Sequence, residues 1–215
     1  MKQLIRLIVI FAAIFGSTFL IAKLTGFLET DQITGWLVEA KESSSMLVGI
    51  IVTVLLAADL FIAVPTLSLT ILSGYFLGFG WAIFYSLFGM ILAGVVGYWL
   101  SRLFGERILC FLIKDQTKRN EVIASFERHG FTMILLSRAV PILPEVTACL
   151  SGLTGMSFFK FLSAWLISSI PYVLIATYFG SISTLDDPKP AILAAVGITS
   201  FLWICWYLFS IKQKK

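Results

Sequence analysis

The sequence has few of the side chains that bind metals or carry out catalysis. It contains one histidine, His129, and three cysteines, Cys110, Cys149 and Cys205, which lie far apart in the chain. A lone histidine cannot build a histidine-based metal site, and the cysteines have the spacing of neither a zinc site nor a redox motif. No nucleophile motif and no closely spaced carboxylate pair is present. We therefore expect no metal, no other cofactor and no catalytic residue, and we do not expect an enzyme.

Charge is also scarce. Only 13% of the residues are charged, 59% are hydrophobic, and the mean hydropathy is +0.96. A soluble domain of this composition would expose more apolar surface than water tolerates. The run 60–101 has no charge in 42 residues, enough for about two bilayer crossings at roughly 20 residues each. The composition predicts an all-α integral membrane protein in which residues 1–215 form one polytopic domain.

Four full transmembrane helices are predicted, at about 4–24, 79–101, 157–180 and 190–211. For the first of them a signal peptide is the alternative, but no small-residue cleavage site follows its apolar run. The net charge of +4 is concentrated in the N-terminus, the C-terminus and the segment 102–128. Because Lys and Arg mark the cytoplasmic side of membrane proteins, we predict that these three regions are cytoplasmic. The same charges indicate no nucleic-acid partner.

Two further hydrophobic pieces, 46–78 and 131–155, lie between the predicted crossings. Each piece must enter the membrane and leave by the same face. The stretch 131–139 is nine residues, roughly 14 Å of helix, which is about half of a ~30 Å hydrocarbon core. The sequence thus predicts two re-entrant hairpins that enter from opposite faces and whose tips can meet. Three prolines are predicted to break the helices of these hairpins: Pro65, Pro141 and Pro144.

An amphipathic stretch precedes each hairpin. Helical spacing places four apolar residues on one face of 31–42: Ile33, Trp36, Leu37 and Ala40. In 115–129 the stripe is weaker and consists of Val122, Ile123 and Phe126, with Gly130 as the predicted helix stop. We expect both stretches to lie flat on the membrane surface, with an ordinary solvated helix as the alternative.

The two halves of the chain can be aligned with small gaps. The Leu-Ser-Gly triplet that ends at Gly74 matches the triplet that ends at Gly152, and the Phe-Gly pair at Gly105 matches the pair at Gly180. Because the halves begin on opposite sides of the membrane, the alignment predicts an inverted repeat, an arrangement used by alternating-access carriers. Gly74 and Gly152 are predicted to permit close helix packing.

Three charged residues fall inside the predicted hairpins: Asp59, Arg138 and Glu145. A charge at membrane depth is costly and therefore indicates a functional site. The planar guanidinium of Arg138 can bind a phosphate through two hydrogen bonds, and the alternative is a structural ion pair with Asp59 or Glu145. Asp59 can carry a coupling proton, or serve as a counter-ion or helix cap. Glu145 can line the site, or cap the helix that follows Pro144.

The order of these pieces resembles a known family. The matching parts are the acid-to-proline stretch 59–65, the run GYWLSRLFG at 97–105, and FERHGFTMILLSRAVPILP followed by LSGLTGMSFFKF within 126–161. Together they resemble the DedA superfamily, also called the VTT-domain or SNARE-associated Golgi protein family, over a core of about 45–180. The resemblance implies a bacterial inner-membrane protein with two opposed re-entrant hairpins that moves lipids across the bilayer.

The resemblance also sets the functional expectation. It implies a flippase or scramblase for a phosphorylated lipid, such as undecaprenyl phosphate or a phospholipid, with protons as a second partner. A non-transporting assembly or envelope-maintenance factor is the alternative. Family members that move undecaprenyl phosphate have a second acidic residue after the first-hairpin proline and a second arginine six residues after the first. Here those places hold Thr66 or Leu67 and Pro144, which brings the chain closer to the less characterised VTT branch.

Overall fold

The computed structural model describes residues 2–24, 30–62, 64–140, 142–183 and 189–212. Most of these residues are helical, and no strand occurs among them. The described ranges contain eight α-helices and one turn of 3-10 helix: α1 (Lys2–Leu24), α2 (Thr30–Ser43), α3 (Ser45–Ala58), α4 (Thr66–Leu112), α5 (Gln116–Leu136), the 3-10 turn Ser137–Ala139, α6 (Leu143–Leu153), α7 (Phe158–Ser181) and α8 (Lys189–Lys212). The predicted all-α fold is confirmed.

Helix α4 is two helices joined at a kink. Gly78 has φ 73° and ψ 167°, a backbone conformation that other residues rarely adopt. The kink separates α4a, residues 66–77, from α4b, residues 79–112, at the boundary expected from the sequence. In the same way Gly155, with φ 78°, lies between α6 and α7. Of the glycines in the described chain, these two have positive φ.

Two helical stretches of the described chain are long and apolar enough to cross a membrane, Thr66–Gly105 and Phe158–Ser181. They contain the predicted crossing 79–101 and nearly all of 157–180. The other two predicted crossings coincide with α1 and α8. These two helices have 23 and 24 residues, long enough to cross a bilayer, and the crossing of both stays a prediction.

Helix α4 is the centre of the fold because α3, α6 and α7 all pack against it. The buried apolar residues form two clusters. One contains Leu37 of α2, Val52 of α3 and Leu69 of α4a. The other contains Phe126 of α5 and Phe161 of α7, together with residues of α6 and the second half of α4b. Each cluster supports one of the two segments that interrupt the helices, 59–65 and 137–142. These segments are called the first break and the second break.

The predicted amphipathic helices both form. The buried face of the first and the end of the second differ from the prediction. Helix α2 buries Ile33, Leu37 and Ala40, whereas Trp36 lies at the edge of the stripe and is 38% exposed. The expectation that Gly130 ends the second helix is wrong. Helix α5 continues through Gly130 to Leu136, and a Cβ at Gly130 would lie 2.6 Å from the Phe126 ring. This glycine is present because the core leaves no room for a side chain.

The four glycines that the sequence alignment pairs allow helices to touch backbone to backbone. A Cβ at Gly74 of α4a would collide with the backbone of Thr177 in α7, and one at Gly180 would collide with Ile71 of α4a. A Cβ at Gly152 of α6 would collide with the Tyr98 carbonyl of α4b. Gly105 of α4b, in turn, lies against the Leu153 backbone of α6, 3.3 Å from where its Cβ would be. Helix α4a is thereby packed onto α7, and α6 onto α4b.

Candidate functional site

The structure brings the three predicted site charges together. Asp59, Arg138 and Glu145 all line one cavity of about 490 Å³, located where the first break and the second break meet. Asp59 comes from the first break, Arg138 from the second, and Glu145 from the first turn of α6. They are close enough to interact electrostatically. A second space of only about 10 Å³, large enough for about one water molecule, also touches all three residues.

The first break is held by the side chain of Asp59. This residue follows α3 as its C-cap, and its Oδ1 accepts a hydrogen bond from the Val64 amide at 2.8 Å. The bond gives a partner to a backbone donor that would otherwise be orphaned in the turn. Pro65 comes immediately before α4a, at the predicted break, and lines the cavity. The hydrogen bond that closes this turn therefore also holds the Asp59 side chain in place.

The second break is built differently. After the 3-10 turn, Val140 is extended, and Ile142 has φ 76°, an unfavourable conformation for a β-branched residue. Pro144 lies in the first turn of α6, where proline is tolerated because the amide that it lacks would have no helical partner. The third proline expected to break the helices, Pro141, lies outside the described residues.

Glu145 is not the N-cap of α6, contrary to one expectation for it. The N-cap is Ile142, which makes no side-chain capping bond, and Glu145 lies in the first turn, where the helix dipole favours a negative charge. Among the residues that the structure describes, the Glu145 Oε2 atom is buried and has no hydrogen-bond partner. The Asp59 carboxyl lies within hydrogen-bond reach of Glu145. A proton shared by the two acids, or a ligand with a donor, would give this acceptor a partner.

Arg138 is held by α7. Its Nη2 donates a hydrogen bond to Ser169 Oγ at 2.8 Å, and its Cζ lies 5.3 Å from the Trp165 ring centroid and 5.1 Å from that of Tyr172. Both rings are within cation–π range. Neither Asp59 nor Glu145 forms a salt bridge with Arg138 within 4.0 Å. The close ion pair that was the alternative for Arg138 is therefore absent from this site.

Sequence reasoning missed the α7 residues that position Arg138. Trp165, Ser169 and Tyr172 have the spacing i, i+4 and i+7, which places them on one face of the helix. The Trp165 indole donates to the Met90 carbonyl at 3.1 Å, and Tyr172 contacts the hydroxyl of Thr66 at the start of α4a. The signal was present in the sequence as a stripe of polar and aromatic residues along a predicted crossing.

The rest of the cavity wall is largely apolar, and it comes from the two breaks, from α4a and α7, and from the helices at the two ends of the chain. Helix α1 contributes Phe15, and α8 contributes Ile198, Thr199 and Trp203. The lining thus combines three charges and several hydroxyl groups with a larger number of hydrocarbon side chains. A cavity lined by both kinds of group suits an amphiphile.

The profile of the VTT domain matches residues 64–182, more than half of the chain. The chain belongs to the VTT domain family. Protein DedA of Escherichia coli K12 is 28% identical over 124 residues, which are 53% of this chain and 57% of DedA. The uncharacterized protein YqeD of Bacillus subtilis 168 is 27% identical over 183 residues, which are 84% of this chain and 82% of YqeD. No solved structure matches.

This family membership makes the chain a membrane protein with bacterial relatives. The chain spans a little more than half the length of the DedA proteins that it matches. The matched range contains Arg138, Glu145 and the α7 residues, whereas Asp59 lies just before it. The cavity residues that come from α1 and α8 also lie outside the matched range.

Proposed function

We propose that this VTT domain protein is a lipid transporter, a flippase or scramblase that moves a phosphorylated lipid between the two leaflets. The observation that carries the proposal is the position of Arg138 in the wall of a cavity lined by charged and apolar residues, with no carboxylate of the described residues within 4.0 Å of it. Undecaprenyl phosphate and phospholipids are the two substrate types considered. No catalytic role is assigned to any residue.

The geometry of Arg138 supports phosphate binding. Ser169 occupies one guanidinium nitrogen, and the Trp165 and Tyr172 rings hold the plane of the group without neutralising its charge. The other N–H groups can form the paired hydrogen bonds that a phosphate accepts from arginine. In a site with little water such bonds are stronger than at a protein surface.

The architecture supports movement between leaflets. We propose that 46–78 and 131–155 are re-entrant hairpins of an inverted repeat, with the cavity between their tips. The glycine contacts support a repeat, because α4a packs on α7 of the other half and α6 packs on α4b of the other half. Interrupted helices that meet at a central site are typical of carriers built from such repeats.

Hydrogen bonds support the same correspondence. Thr53 of α3 donates to the Tyr85 carbonyl of α4b at 3.1 Å, and Ser168 of α7 donates to the Leu135 carbonyl of α5 at 3.1 Å. In both halves, the helix that enters the hairpin is thus bonded to the crossing helix of its own half, with the donor on the entering helix in the first half and on the crossing helix in the second. In the proposed orientation, both chain ends and the loop 102–128 are cytoplasmic.

We further propose that the acidic pair supplies the coupling ion site. Asp59 and Glu145 both line the cavity and are close enough to interact, so a proton on one carboxyl would change the charge near the bound phosphate. Proton loading would then alternate with lipid binding. Proton coupling depends on the two acids, whereas phosphate binding depends on Arg138, so each can be tested without the other.

Reconstitution tests the proposal. The purified protein in liposomes is given lipids with a fluorophore on the tail, and a quencher outside the vesicle reports how fast each lipid changes leaflet. We expect transport by the parent protein, by the control variant Arg102→Lys at an exposed arginine of α4b, and not by Arg138→Ala. Vesicles in which no lipid moves would favour an assembly or maintenance factor, and chemical turnover of the lipid would indicate an enzyme.

A further inference from the structure

Two residues of α8 differ from the rest of the cavity wall in their exposure. Of the described residues that line the cavity, Thr199 and Trp203 are the exposed ones, and Trp203 is 54% exposed. Arg138 and Tyr172 line the same cavity and are only partly exposed, so facing the cavity does not by itself produce this exposure. Thr199 and Trp203 are four residues apart, on one face of α8. Together they mark the mouth of the cavity.

The wall on the side of α1 is closed by packing. Phe15 is partly buried and packs against the core cluster of α5 and α7. A Cβ at its neighbour Gly16 would lie 3.9 Å from Ile142 Cδ1, which places α1 against the second break. Helix α8, in contrast, changes from buried at Ile198 to exposed at Thr199 within one residue. The cavity therefore opens beside α8 and not beside α1.

The mouth lies halfway along a helix that is predicted to cross the membrane. Helix α8 runs from Lys189 to Lys212, and both mouth residues lie within about 4 Å of its centre along the axis, at roughly 1.5 Å per residue. Tryptophan is enriched at the two membrane–water interfaces, so a tryptophan near the centre of a crossing calls for a local reason. A place at the rim of an opening, as for Trp203, supplies one.

The surroundings of the mouth suit hydrocarbon. No charged residue occurs in 190–211 of the sequence, and the exposed residues near the mouth on α8 include Val196 and Phe201. The charges of the site belong to the two breaks and to α6. An opening to water at this depth would need polar groups around it, whereas an opening to hydrocarbon needs none.

We infer that the cavity opens sideways into the hydrocarbon core of the bilayer through the mouth formed by Thr199 and Trp203. The tails of the transported lipid lie across these two residues while its head group is inside the cavity. This inference rests on the proposed transport function and adds to it the place where the lipid enters and leaves. It also gives a role to α8, which lies outside the VTT domain match.

The first experiment measures what the mouth faces. A nitroxide is attached to Thr199→Cys in a protein whose native cysteines, Cys110, Cys149 and Cys205, are replaced by alanine, and the protein is reconstituted in vesicles of phosphatidylethanolamine and phosphatidylglycerol. Electron paramagnetic resonance then compares collisions with oxygen, which concentrates in hydrocarbon, and with a water-soluble nickel chelate. Oxygen should dominate at this position. At Lys114→Cys, an exposed position after α4, the nickel chelate should dominate.

The second experiment blocks the mouth. In the same background, Thr199→Cys and Trp203→Cys are labelled in detergent with a maleimide that carries a biphenyl group, checked by mass and reconstituted. Leaflet exchange is measured for tail-labelled phosphatidylethanolamine, phosphatidylglycerol and polyprenyl phosphate. For each lipid that the unlabelled protein moves, the bulky label should lower the rate by about tenfold or more, and a methylthio label should change it by less than about twofold.

A matched control separates blocking from a general effect on α8. Phe201→Cys is also exposed, at 66% in the parent, but points to the opposite side of α8 and away from the cavity. With the biphenyl label it should keep the rate of the unlabelled variant. An equal loss of rate at this position would overturn the mouth, because the label would then act through the helix as a whole.

The outcomes separate this inference from the proposed function. Dominant collisions with the nickel chelate at Thr199→Cys, or unchanged rates with the biphenyl label at both mouth positions, would overturn the lateral mouth and leave lipid transport standing. If the unlabelled protein moves none of the lipids, transport itself is rejected, and the collision measurement still decides whether the mouth faces hydrocarbon. If Trp203→Cys does not fold, the Thr199→Cys results decide.

Discussion

The two breaks that meet at the cavity are closed in different ways. In the first, the side chain of Asp59 accepts the Val64 amide and so closes the turn. In the second, the backbone turns through Ile142 at positive φ, and no side chain caps the helix that follows. Asp59 therefore stabilises the backbone of the first break and also lines the cavity. Arg138 of the second break closes no turn and is held by α7 instead.

This difference shows how one site can contain a fixed and an adjustable charge. Asp59 cannot move without releasing a backbone amide. Arg138 can move by exchanging one hydrogen bond to Ser169 and two ring contacts for bonds to a phosphate. The comparison predicts that substitutions in the first break affect folding, whereas substitutions in the second break affect lipid binding.

The largest effect is expected at the second break. Arg138→Lys keeps the charge but loses the planar group that binds a phosphate through two bonds, so lipid affinity should fall by about 100-fold, on the order of 3 kcal/mol. Its thermal stability in detergent should stay close to that of the parent. Lipid binding measured by fluorescence titration checks the first point. Parent-like affinity in Arg138→Lys would show that Arg138 does not bind the phosphate.

The next largest effect is a loss of stability at Gly74 and Gly152, the glycines at matching positions of the two halves. Gly74→Ala and Gly152→Ala each place a Cβ against backbone of a neighbouring helix, and each should lower the stability by about 1–3 kcal/mol. Gly35→Ala on α2 meets no atom within 4 Å and serves as the control, with unchanged or slightly higher stability. Thermal unfolding in detergent measures all three. A large loss in only one of the two variants would contradict the proposed repeat.

A smaller effect distinguishes the two tasks of Asp59. Asp59→Ala removes the acceptor of the Val64 amide and should cost about 1–3 kcal/mol. Asp59→Asn keeps an acceptor oxygen, so it should stay folded while its transport loses pH dependence, since the titrating group is gone. Unfolding and transport rates at several pH values test both variants. If Asn keeps the full pH dependence, Asp59 does not carry the coupling proton.

The smallest effect concerns the hydrogen bond that joins the entering helix to the crossing helix in each half. Thr53→Val removes the bond to the Tyr85 carbonyl, and Ser168→Ala removes the bond to the Leu135 carbonyl. Each should cost about 0.5–1.5 kcal/mol, and the two values should be similar if the halves are related. Denaturation curves of the two variants give the values. A difference of more than about 2 kcal/mol would speak against the correspondence.

The sequence predicted the breaks well because their causes are local. A proline, a glycine or a charge inside an apolar run disfavours a continuous helix, and Pro65, Gly78 and Pro144 all lie at helix ends or kinks. The continuation of α5 through Gly130 could not be predicted in this way. Its cause is the space taken by Phe126 and Met156, which depends on how distant segments pack.

The site was predictable in part for the same reason. A charge at membrane depth is rare, so Asp59, Arg138 and Glu145 were found from the sequence alone. The residues that orient Arg138 were not found, because Ser169 and Tyr172 are ordinary components of apolar helices and only the fold places them against the guanidinium. Neither could the sequence place the unpaired Glu145 Oε2, whose surroundings come from several helices.

The glycine contacts determine which parts of the molecule can move as rigid bodies. Helix α4a is joined to the end of α7, and α6 is joined to α4b, each without side chains between the backbones. Sliding within either pair would separate two backbones in close contact. Any change that opens the cavity must therefore move the two helices of each pair together as one rigid body. The hinges are then the backbone around Gly78 and Gly155, the described glycines with positive φ.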